Sequence, residues 1–102
     1  MATWYDIDNV NNFPVNTHRS VEIADQRLII SNIDGQFFAV QDICTHDGGI
    51  LSDGDFIDGE LVCPRHGARF SAKTGDVLAP PAYESLSTFP TRIKDGKIQI
   101  EL

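Results

Sequence analysis

Long hydrophobic runs are missing from this sequence. No apolar stretch approaches the roughly 20 residues that a membrane-crossing helix needs. The opening residues, Met1-Ala2-Thr3-Trp4-Tyr5-Asp6, carry no basic region followed by an apolar one, so no secretory signal is expected either. Basic residues are scarce as well: 8 Lys and Arg stand against 15 Asp and Glu, a net charge of −7. A surface of that sign repels phosphate backbones and anionic headgroups, which argues against nucleic acid and membrane as partners. It favours a protein partner with a basic patch. Cysteines number only two, Cys44 and Cys63. With no sign of secretion, Cys grouped with His points to metal rather than to a disulfide. A soluble, cytoplasmic protein is expected, and a monomer.

Repeats, linkers and helical periodicity are absent too, and 102 residues suit one domain, 1–102. What recurs is Asp-Gly, at Asp34-Gly35, Asp47-Gly48, Asp53-Gly54, Asp58-Gly59 and Asp95-Gly96. Asp-Gly favours tight turns because both residues tolerate positive φ. Strand-like runs flank the first pair, Arg27 to Ile33 and Gln36 to Val40, and the last, Thr91 to Lys94 and Lys97 to Leu102. Both are expected to be β-hairpins. Further strands are expected at Thr3 to Ile7, Ser20 to Ala24, Glu60 to Cys63 and Ala68 to Ser71, with one helical turn within Asn9 to Phe13. Many short strands with frequent turns predict an all-β fold, an antiparallel sandwich or small barrel. The stretch from about 42 to 81 differs, being rich in Gly, Pro and Asp and holding both cysteines and two of the three histidines. A loop-dominated stretch of that length in a compact domain is functional or disordered, and its grouped ligand-type residues favour function.

The chemistry is concentrated in Cys44-Thr45-His46, sixteen intervening residues, then Cys63-Pro64-Arg65-His66. Each short spacing lets one tight loop aim two side chains at one centre, and the long spacing returns the chain on its opposite side. Thiolates and imidazoles suit zinc or an iron–sulfur cluster, so a zinc-stabilised structural domain using the same four ligands is the alternative reading. Gly48, Gly49 and Gly67 follow the histidines and would let backbone N–H groups close on inorganic sulfide.

These loops, Cys-Thr-His-Asp-Gly-Gly and Cys-Pro-Arg-His-Gly-Ala, closely resemble those of the Rieske family. The likeness continues through Phe70, Thr74-Gly75, Pro80-Pro81-Ala82, Leu86, Phe89-Pro90 and the closing hairpin, features of the bacterial Rieske ferredoxins of aromatic-ring dioxygenase systems. The resemblance implies an antiparallel β-sandwich with a small loop-rich cluster-binding lobe. It implies one [2Fe–2S] cluster with Cys44 and Cys63 on the inner iron and His46 and His66 on the outer. The segment with Pro80 and Pro81 would cover it. Two ferric ions, two sulfides and two thiolates sum to zero charge, against −2 with four thiolates, so such a centre accepts an electron more readily. High-potential members carry bridging cysteines at the positions of Gly49 and Arg65 and a serine at that of Ala68. Their absence here predicts a potential near the low end, about −150 mV. The implied partners are a flavin-dependent ferredoxin reductase and a terminal oxygenase. The chain would be an electron carrier and no enzyme, since after His46 and His66 only His18 remains for a second iron site.

Other residues have plainer expectations. His18 is read as an exposed loop residue, Trp4 and Phe37-Phe38 as packing, and Asp53, Asp55 and Asp58 as solvated turns. Arg65 and Arg69 are read either as tuning or partner-binding cations or as solubilising charge.

Overall fold

The computed structural model describes residues 3–102, in which eleven strands form three antiparallel sheets. The first sheet joins β1 (Trp4–Asn9), β11 (Lys97–Glu101) and β10 (Thr91–Lys94) in that order. The second runs β2 (Thr17–Ile23), β3 (Gln26–Ile33), β4 (Gln36–Gln41) and β9 (Thr88–Phe89). The third is a small sheet of β5 (Phe56–Ile57), β6 (Glu60–Val62), β7 (Arg69–Ser71) and β8 (Val77–Ala79). One 3-10 turn, Val10–Asn12, leads out of β1, inside the segment where a helical turn is expected.

The middle sheet is apolar on both faces, and this decides the layering. In β3, every residue from Leu28 to Ile33 is buried. Alternation along the strand sends Leu28 and Ile30 to one side, where they meet Phe13, Ala39, Ile98 and Ile100. Ile29 and Ile33 go to the other, where they meet Val40, Leu51, Leu61, Phe70 and both cysteines. Sequestering side chains of this size stabilises the fold by roughly 1.5–3 kcal/mol each, so β3 is the seam along which sandwich and lobe are joined.

Both expected Asp-Gly hairpins form. Asp34-Gly35 joins β3 to β4 and Asp95-Gly96 joins β10 to β11, all four residues having φ between 53° and 90°. A third Asp-Gly hairpin, Asp58-Gly59, joins the expected strand β6 to β5, which at two residues is too short for periodicity to reveal. The β2–β3 hairpin turns on Ala24-Asp25 at φ 50° and 63°, without a glycine to announce it.

His18 departs from expectation. It lies on β2, half-buried, packs on Phe56 and places Nε2 3.2 Å from the Ser52 carbonyl. Only an Nε2–H tautomer can donate that bond. Phe37 and Phe38 pack on opposite cores, and Trp4 lies under the Arg92 guanidinium at 4.0 Å, so the packing expectations hold.

Candidate metal centre

Both Cys–His pairs sit on loops with one and the same turn. The Cys44 carbonyl accepts from Gly48 N at 2.7 Å while Cys44 N donates to the Gly49 carbonyl at 2.8 Å. The Cys63 carbonyl accepts from Gly67 N at 3.1 Å while Cys63 N donates to the Ala68 carbonyl at 2.8 Å. Gly48 and Gly67, each at φ 75°, occupy the matching left-handed position that a side chain would strain. These are therefore turn glycines. Their N–H groups, and that of Gly49, are the ones expected from the sequence to close on sulfide. In the structure all three are already engaged, Gly49 N donating to Asp47 Oδ1 at 2.8 Å.

The two loops stand face to face. Cys44 and Cys63 are buried, unpaired with each other, and walled by Leu51, Leu61, Phe70, Ala82 and Leu86. His46 and His66 stay exposed at the rim with ring centres 4.9 Å apart and planes nearly perpendicular. Ligand atoms of Cys44, Asp47 and Cys63 lie within 4.8 Å of one another, as do those of His46, Asp47 and His66. All four ligand-type residues expected from the sequence thus converge, thiols beneath and imidazoles above. This donor set fits a binuclear cluster with unlike ends: the soft thiolates can take the shielded iron and the imidazoles the one near solvent. Burial pushes the Cys44 thiol up, aided by its proximity to Cys63, so seating a metal there must expel a proton.

The surroundings hold the loops from three sides. Thr45 Oγ1 donates to the Glu84 carbonyl at 2.7 Å, tying the first loop to the segment after Pro80 and Pro81. Pro81 in that segment is half-buried and Pro80 exposed. Behind the first loop, the buried Asp42 carboxylate accepts from Leu51 N, Ser52 N, Ser52 Oγ, Ser20 Oγ and Arg27 Nε, between 2.6 and 3.2 Å. Burial opposes ionisation of Asp42, but the bonds from Ser52, Ser20 and Arg27 outweigh it and hold its carboxyl below the ordinary range. Sequence reasoning passed over Asp42; a lone carboxylate in the apolar context Ala39-Val40-Gln41-Asp42-Ile43-Cys44 was the available signal. At the rim, Arg65 donates to Asp47, and this guanidinium holds the Asp47 carboxyl well below the usual range. Arg69 instead faces Glu60 at 3.6 Å. Asp53, Asp55 and Asp58 are exposed, as solvated turns should be. Among the described residues no helix is long and apolar enough to cross a membrane.

Comparison with known proteins agrees with this geometry. Residues 3–90 match the Rieske [2Fe-2S] domain. The biphenyl dioxygenase ferredoxin subunit of a Pseudomonas species is 42% identical over 77 residues, 74% of this chain and 71% of that protein. The 3-phenylpropionate/cinnamic acid dioxygenase ferredoxin subunit of Photorhabdus laumondii is 39% identical over 92 residues, 89% of this chain and 87% of that one. A chain in the solved complex of reduced oxygenase and oxidized ferredoxin in carbazole 1,9a-dioxygenase superposes with a TM-score of 0.89 at 28% identity. That match covers 95% of this chain and 91% of the other. These relatives are named as ferredoxins, carriers of electrons rather than catalysts of their systems. The chain belongs to the Rieske [2Fe–2S] domain family, and its cofactor is one [2Fe–2S] cluster.

Proposed function

We propose that this chain is the soluble, cytoplasmic ferredoxin of a multicomponent aromatic-ring dioxygenase system, acting as a monomer. It takes electrons singly from a flavin-dependent reductase and gives them to a terminal oxygenase. The observation that carries the reading is the pairing of two buried cysteines with two exposed histidines on twin loops. In this proposal Cys44 and Cys63 bind the inner iron and His46 and His66 the outer, within a lobe spanning about 42–81. The bound cluster supplies a single reversible electron. The chain's residues do the rest. Leu51, Leu61 and Phe70 keep water from the thiolates, while the imidazole edges bring the outer end within reach of a partner. Pro80 and Pro81, on the segment fastened by the Thr45–Glu84 bond, cover one side. Ala68, buried and without a hydroxyl, can donate no side-chain hydrogen bond to the cluster, which supports a potential near −150 mV.

The net charge of −7 favours approach to a basic surface and a short-lived complex. Stopped-flow mixing of the reduced protein with an aromatic-ring dioxygenase tests this account. Oxidation of the ferredoxin should be fast, slow as salt rises, and be absent for Cys44→Ala, which should hold no cluster. A cluster-loaded protein that neither accepts electrons from a flavin-dependent reductase nor reduces the oxygenase would overturn it.

A further inference from the structure

Two thin loops, each closed on itself by backbone hydrogen bonds, still need something to hold them to one another. Among the described residues, every hydrogen bond crossing between residues 44–50 and 63–68 either leaves Arg65 or ends on Asp47. Arg65 Nε and Nη2 reach the two carboxylate oxygens of Asp47 at 2.5 and 3.1 Å, and Nη1 donates to the Ile50 carbonyl at 3.1 Å. Asp47 in turn takes Gly49 N, and its Oδ2 lies 3.4 Å from His66 Nδ1 and 3.9 Å from Cys63 Sγ. A planar cation with donors along two edges is the side chain suited to span a carboxylate and a carbonyl at once.

Gly49 leaves room for this arrangement. A Cβ at that position would stand 2.5 Å from Arg65 Cζ, 2.6 Å from Nη2 and 2.8 Å from Nε. The guanidinium lies flat where any other residue would place its side chain. Gly49 has no positive φ, and a side chain there would displace the guanidinium rather than the backbone, so glycine at this position leaves Arg65 free to reach Asp47.

We propose that Asp47 and Arg65 are positioning residues that clamp the two ligand loops around the cluster, with Gly49 as the seat of the clamp. The proposal rests on the ligand set Cys44, His46, Cys63 and His66. As a unit the pair sets how long the cluster is retained. As separate charges beside the outer ligands they act on its potential in opposite senses and largely cancel. Loss of the anion favours the more negative, reduced state; loss of the cation disfavours it.

The test uses Arg65→Gln, Asp47→Asn, the double variant and Arg65→Lys, each loaded with cluster, reconstituted in vitro where expression leaves it empty. Cluster loss is followed by bleaching of visible absorption in excess ferrous chelator, and the midpoint potential by voltammetry. Each single neutral variant should lose its cluster about tenfold faster than the parent. The double variant should be no worse than either single, because the interaction can be lost only once. The midpoint should fall for Arg65→Gln, rise for Asp47→Asn, and return near the parent value in the double variant. Arg65→Lys keeps the charge but not the fork, so it should hold the potential and still lose cluster faster. Parental retention in the single variants, multiplied losses in the double variant, or midpoint shifts of one sign would overturn the clamp. A parent protein without iron and sulfide would instead overturn the ligand set, which keeps the two failures apart.

Discussion

Asp42→Asn removes a charge and almost no volume, so it isolates what the buried carboxylate does. Oδ1 accepts Leu51 N at 3.0 Å and Ser52 N at 2.8 Å. Oδ2 accepts Ser52 Oγ at 2.6 Å, Ser20 Oγ at 3.0 Å and Arg27 Nε at 3.2 Å. An asparagine has one oxygen, which must face the two backbone donors. Its amide nitrogen then meets two hydroxyls, which can turn to accept, and Arg27 Nε, which cannot. One hydrogen bond to a charge is lost and the other four lose their charge assistance, a net cost of about 2–3 kcal/mol once the saved desolvation of the carboxylate and the half-exposed Arg27's access to water are allowed for. For a chain of this size that is a fall of about 8–20 °C in apparent Tm at neutral pH. Thermal scans at one fixed rate, read by circular dichroism and by the cluster's absorption, measure it.

The deficit must also depend on pH. Asp42 titrates below its unfolded value of about 3.9. The stability contributed by its ionised form is therefore complete above that pH and lost as pH falls through the lower folded-state value. Parent and variant should converge on acidification below about pH 4 and nowhere else. A Tm within about 3 °C of the parent at pH 7 would refute the assignment of Asp42 as the anchor between the middle sheet and the first ligand loop.

Three further substitutions probe the frame. A Cβ on Gly54 would stand 1.8 Å from the Val62 carbonyl oxygen and 2.9 Å from Pro64 Cδ, so Gly54→Ala should displace the strand that delivers Cys63. A loss above about 3 kcal/mol is expected, with depleted iron on metal analysis; a parental Tm and full iron would contradict it. Replacing Ala24-Asp25 by Asn-Gly should raise stability by about 1 kcal/mol, because alanine holds its φ of 50° at a strain and glycine suits the φ of 63° at the second position better still than aspartate. Chemical denaturation checks it, and an unchanged midpoint would deny that strain. Ser31 Oγ is buried without a hydrogen-bond partner, so Ser31→Ala should stabilise by about 1 kcal/mol in the same assay, and a loss of stability would reveal a partner for the hydroxyl.

The four candidate ligand residues are legible because their grammar is local: residue type and spacing alone put two soft donors on each of two loops. The hairpins at Asp34-Gly35 and Asp95-Gly96 are legible because turn chemistry stands between strand-like runs of four residues or more on each side, with clean alternation in the last of them. Where one of those signals failed, so did the reading. β5, β8 and β9 are two or three residues long, too short for alternation, and they are strands only because neighbours pair with them. Ala24-Asp25 turns without a glycine and with alanine at its first positive-φ position, the pairing of β2 and β3 overriding local preference. His18 sits among polar residues in sequence but against Phe56 in space, a contact between lobe and sheet that no window of sequence contains. The same holds for Asp42, Gly54 and the Asp47–Arg65 pair, whose roles depend on partners 8 to 22 residues away. At the glycines expected to leave room for sulfide, the structure adds constraints that spacing does not show: a left-handed turn at Gly48 and Gly67 and the nearby Arg65 guanidinium at Gly49.

The central claim is that both imidazoles and both thiolates hold one binuclear cluster. The most direct measurement is pulsed EPR of the dithionite-reduced protein, grown with and without nitrogen-15 histidine, on samples assayed for iron and acid-labile sulfide. Two irons and two sulfides per chain, with hyperfine couplings from two ring nitrogens that change with the isotope, are the predicted result. A colourless, EPR-silent protein holding zinc, or a cluster with no nitrogen coupling, would contradict it.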